Sequence, residues 1–144
     1  MVLVDPTPEE FGAALRDLAA SLGTPVPAAS ADPSVDETSF QQMREARSAG
    51  PLRSMPLIVL THGRAADPGE RPPGWPLAEE ERIWTGLHDE IVRLVPGARR
   101  IVAEASGHDI HQEQPDLVVA AILAVVAAVR DPGAWGTPVA TPTD

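Results

Sequence analysis

The chain has 144 residues, a formal net charge of −10 and no cysteine. That length suits one domain with a sizeable core. The acidity, with no basic stripe to neutralise phosphates, argues against a nucleic-acid partner. The missing cysteines exclude disulfides, a thiolate-held zinc and a cysteine nucleophile. The first residues, Met1-Val2-Leu3-Val4-Asp5, lack the basic and long apolar regions of a signal peptide. The longest apolar run, Leu117 to Val129, falls short of the roughly 18 residues that a membrane span needs. A cytoplasmic chain with no membrane partner is expected.

In chain order, Met1 to Val4 is a bare apolar run of the kind found in buried parallel strands. Thr7-Pro8-Glu9-Glu10 reads as a helix start, with Thr7 as the cap, Pro8 in the first turn and acids behind it. Phe11, Ala14, Leu15, Leu18 and Leu22 follow at helical spacing, and Gly23 ends the helix. Residues 24 to 35 form a Pro/Ala/Ser linker. A short polar helix follows, capped by Asp36, stopped by Gly50, and with only Phe40 and Met43 to bury. Residues 24 to 50 therefore read as a lid-like insertion.

Leu57 to Leu60 is a second apolar strand, with Thr61-His62-Gly63 as a turn and a loop rich in Pro and Gly over residues 64 to 76. Leu77 to Val95 is a helix with one broad apolar face, ended by Pro96-Gly97. On it, His88 and the charges from Glu79 to Arg82 read as a solvated side. A third strand lies around Ile101 to Ala103. Pro115 opens a last helix that is apolar nearly all round and is expected to be buried against a sheet. The tail, residues 132 to 144, is expected to fray.

Strands alternating with helices predict an α/β fold with about three parallel strands. Sites in such sheets lie beyond the carboxyl ends of the strands. Asp5, the His62 loop and His108 all fall there. His108, between Gly107 and Gln114-Pro115, is the candidate general base: Gly107 lets the backbone bend tightly so that the ring projects into the cleft, a carboxylate fixes its tautomer and the ring takes a nucleophile's proton. His-x-x-His at His108 and His111 is a weak metal signal, and no metal is expected.

Residues 104 to 122, "EASGHDIHQEQPDLVVAAI", resemble the catalytic-histidine loop and final helix of α/β-hydrolase-fold enzymes. "MPLIVLTHG" and "VLVDPTPEE" resemble two of their core strands, so the resemblance covers residues 1 to about 131. It implies a hydrolase of small ester or acyl substrates, with no cofactor and with His108 as base. It leaves two candidate acids, Asp5 as first choice and Asp67 as second. His62 and Trp75 are candidate substrate contacts. The family's nucleophile sits in a Gly-x-Ser-x-Gly elbow, and none of the chain's serines stands in that pattern. The chain would thus supply base and acid but no nucleophile. The alternative is a truncated remnant, or a non-catalytic half that pairs with another chain. Self-association through an exposed first strand is also expected.

Overall fold

The computed structural model describes residues 1–26, 37–48, 52–136 and 139. The chain divides into two compact units. The first contains Met1–Pro6, Arg53–Arg64 and His88–Asp144, and it carries the sheet.

Three strands, β1 (Val2–Val4), β2 (Ile58–His62) and β3 (Arg99–Ala103), pair in parallel in the order β1-β2-β3. The register places Val2 against Ile58 and Val4 against Leu60; Ile58 faces Arg99 and His62 faces Ala103. Side chains alternate across the sheet. On one side Ile58, Leu60 and Ala103 pack with Ile110 of α4 (Ile110–Glu113) and with Leu117, Ala121 and Val125 of α5 (Pro115–Arg130). On the other side Leu57 and Val59 pack with Val95, with Leu3, Ile91 and Val92 around them. Both faces carry packed apolar side chains, as a parallel sheet requires, and β1 and the first three residues of β2 are apolar on both sides for that reason.

The second unit comprises Thr7–Leu52 and Ala65–Leu87. It holds α1 (Phe11–Leu22), α2 (Glu37–Ser48), a 3₁₀ turn at Pro68–Glu70 and the start of α3 (Leu77–Arg93), which runs on into the first unit. Its core is Phe11, Leu15, Ala19, Trp75 and Trp84. Phe11 and Trp84 meet edge to face, with ring centroids 4.7 Å apart. Beside them Arg71 grips the buried Glu80 through two nitrogens, Nε at 3.0 Å and Nη2 at 2.8 Å, and the Trp75 indole donates to the same carboxylate at 2.6 Å.

Several expectations need correction. Thr7 does not cap α1: the helix begins at Phe11, after a turn at Glu9-Glu10. Thr61 and His62 are strand residues, because the β2–β3 ladder extends to His62 and Ala103. His88 and Glu80, read as solvated, are 0% and 3% exposed. Met43 is exposed, not buried. The last helix is not buried all round. One stripe meets the sheet, while Val119, Ile122, Leu123, Val126 and Val129 remain open to solvent. The tail does not fray at once. Pro132–Gly136 forms a 3₁₀ turn in which the Trp135 indole donates to the Gly97 carbonyl, and Arg99 lies 5.3 Å from its ring centre. Asp36 and Gly50, expected to bound α2, lie outside the described residues. Among the described residues no helix is long and apolar enough to cross a membrane.

Candidate active site

The site grows from the end of β1. Asp5 keeps the ladder going, its N–H donating to the Leu60 carbonyl at 2.9 Å. It then turns sharply, with φ at 42°, a left-handed value that a side chain other than glycine's adopts at a cost of roughly 1–3 kcal/mol. The turn brings its carboxylate inward, where the residue is 1% exposed.

His62 and His108 both hold that carboxylate. The His62 backbone N–H donates to Oδ1 at 3.1 Å. The His62 ring donates from Nδ1 to Oδ2 at 2.7 Å, and His108 donates from Nδ1 to the same oxygen at 2.8 Å. His88, on α3, brings Nε2 to 3.8 Å from Oδ1. Burial by itself raises the Asp5 pKa, but the bonds from His108 and His62 outweigh it, and the carboxyl lies well below its usual range. An ionised carboxylate only accepts, so both Nδ1 atoms carry the proton. In the neutral imidazole that leaves Nε2 of His108 as a lone-pair acceptor.

The two imidazoles differ in access. The His62 side chain is 11% exposed and that of His108 is 66% exposed. The His108 pKa is raised above its ordinary 6.5, first by the hydrogen bond to Asp5, with burial opposing.

The backbone around these rings is fixed locally. After His62 the chain passes so close to β3 that a Cβ on Gly63 would stand 2.6 Å from the Glu104 Cα. Only glycine fits there. Gly63 N–H reaches the carbonyl of Ala103 at 2.9 Å, and Arg64 N–H that of Ser106 at 2.9 Å. The loop carrying His108 is clamped from the helices beyond it. Gln114 Oε1 accepts from the Ser106 hydroxyl at 2.8 Å and from the Ala105 N–H at 3.2 Å. Glu113 accepts from the Gly107 N–H at 2.6 Å and pairs with Arg64. The buried Ile110 anchors the short α4 behind the loop. Gly107 is not needed for a tight bend, since a Cβ there would meet only the side-chain ends of Arg64 and Glu113, at 3.5 and 3.8 Å.

Of the residues singled out in the sequence, Asp5, His62 and His108 converge. Asp67 belongs to the second unit, where its carboxylate accepts from the Gly69 N–H at 2.8 Å and caps the 3₁₀ turn. Trp75 is a core residue of that same unit, 7% exposed, with its indole N–H committed to Glu80. His88 was missed, although the sequence carries its signal. It stands four residues after Trp84 and three before Ile91, on the apolar stripe of α3.

No group of three or more His, Asp or Glu side chains among the described residues is placed to hold a metal ion. An ionised, buried acid bonded to the far nitrogen of an accessible imidazole can orient that ring and stabilise its protonated form, which is the acid–base half of a hydrolytic triad. Comparison of the chain with protein-family models, with curated proteins and with solved structures gives no match.

Proposed function

We propose that this chain carries the base and acid of an α/β-hydrolase-type acyl hydrolase: His108 takes the proton of the attacking group, and Asp5 orients and charge-stabilises the ring. The substrate class is a small ester or similar acyl compound, and no cofactor takes part. The observation that carries the reading is the 2.8 Å bond from His108 Nδ1 to a buried carboxylate at the carboxyl edge of a parallel sheet. The resemblance of residues 104 to 122 to the histidine loop of that family points the same way.

No serine of the chain stands in a Gly-x-Ser-x-Gly elbow. In this reading the nucleophile comes from outside these residues, and the chain by itself has only water to activate. General-base assistance of that kind contributes on the order of 10²-fold at its lower end. The test is p-nitrophenyl acetate hydrolysis by purified protein. The expected result is a slow rate, at most about 10²-fold over buffer, lost in His108→Ala and untouched by a serine-directed phosphonate. A rate that survives His108→Ala removes the base assignment. A turnover of about 10 s⁻¹, ordinary for an enzyme, and blocked by the phosphonate, would show that a serine of this chain is the nucleophile.

A further inference from the structure

One face of α5 is apolar and uncovered. Leu117, Ala121, Val125 and Ala128 turn toward the sheet. On the opposite side Val119, Ile122, Leu123, Val126 and Val129 are between 37% and 67% exposed. Their spacing of three and four residues makes one continuous stripe along a helix of 16 residues, about 24 Å long. Asp116 in the first turn and Arg130 in the last turn lie exposed on the same stripe, at its two ends. Among the described residues, neither has an ion-pair partner within the chain.

We propose that this face is an interface with a second copy of the chain, formed by two α5 helices packed antiparallel about a two-fold axis at Leu123. The charge pattern selects that occupant. Asp116 and Arg130 stand seven residues to either side of Leu123. An antiparallel copy therefore sets Asp116 of one helix beside Arg130 of the other, and the symmetry repeats the pair at the far end. About that axis Leu123 faces its own copy, with Val119 and Val126 about a turn to either side of it on the exposed stripe. A parallel pair would set like charges together at both ends. The first strand is a weaker route to association, since β1 is only three residues long and offers few ladder bonds. A single helix pair buries less than a standard protein interface, so the dimer is weak and reversible.

Sedimentation of the full chain over concentrations from about 5 to 500 µM, a span that covers weak association, tests the proposal. The wild type is expected to move from monomer to dimer as concentration rises. Leu123→Glu puts two like charges at the axis on an exposed position and is expected to leave a folded monomer, checked by circular dichroism. Asp116→Arg alone is expected to weaken the dimer, and Asp116→Arg with Arg130→Asp to restore it. The chain has no cysteine, so Leu123→Cys supplies a single thiol, which a short bismaleimide is expected to couple across the axis. A monomer throughout the series, or a dimer unchanged by Leu123→Glu, overturns the proposal. The second outcome would place association elsewhere, at the β1 edge for example.

Discussion

At the scale of single residues, the candidate site depends on one buried carboxylate that accepts from both His62 and His108. Asp5 is read from the sequence as a strand-end acid, and it becomes the hub of the site as a buried residue with a left-handed φ whose carboxylate meets both His62 and His108. That turn is not written in residue type, since Asp before Pro also fits an ordinary strand end. His62 was legible as a residue near the cleft, but its bond to Asp5 depends on β2 running two residues further than the apolar run suggests. Glycines show the same gap between sequence and structure. Gly107 looked like the residue that shapes the histidine loop, yet Gly63 is the one with no room for a side chain. Gly63→Ala is expected to lower stability by about 1–3 kcal/mol, the cost typical of overpacking, whereas Gly107→Ala stays within about 0.5 kcal/mol. Chemical denaturation of the two variants measures the difference. Equal effects would mean that the β2–β3 exit is not held as tightly as the 2.6 Å approach implies.

At the scale of elements, the sheet and its helices were largely legible because burial on both faces leaves strands apolar without alternation, and helices carry their 3.6-residue period. What was not legible was burial of polar residues within those periods. Glu80 and His88 are buried positions of α3, as is Trp84. Residue type suggested solvent, but position decided otherwise, because a helix buries a stripe and not a composition. Glu80 can stay buried only because Arg71 and Trp75 supply its hydrogen bonds. Arg71→Ala should therefore destabilise the chain by about 3–5 kcal/mol, because it leaves a carboxylate buried without its cation. The double variant Arg71→Ala with Glu80→Gln should recover part of that loss. Thermal melts of the single and double variants check this. A single variant as stable as the wild type would show that water reaches Glu80. The last helix does pack against the sheet as its apolar composition suggests, but one sheet face can cover only one stripe of it, and composition alone does not show which side stays exposed.

At the scale of the whole molecule, the site ties folding to pH. The Asp5 pKa is depressed on folding, so its stabilisation is present above the ordinary carboxyl value of 3.8 and is lost as pH falls through the folded value. The His108 pKa is raised on folding, so its stabilisation is complete below 6.5 and is lost as pH rises through the folded value. The contribution of the pair is therefore greatest between about pH 4 and pH 6.5, when Asp5 is ionised and His108 protonated. Denaturant midpoints across that range should exceed those at pH 9 by more in the wild type than in Asp5→Asn. An identical pH dependence in the two proteins would mean that the carboxylate and the ring are not coupled in solution. Catalysis asks for the opposite state of the ring, since a general base must be neutral, so activity should rise with pH where this part of the stability falls. The measurement that bears most directly on Asp5 and His108 as acid and base joins the two. Histidine-resolved NMR titration of the wild type, run beside the pH dependence of p-nitrophenyl acetate hydrolysis, should give a single midpoint above 6.5 for the His108 ring and for the rate. Both should move down together in Asp5→Asn. A rate midpoint that departs from the His108 titration, or a His108 titration unmoved by Asp5→Asn, would contradict the account.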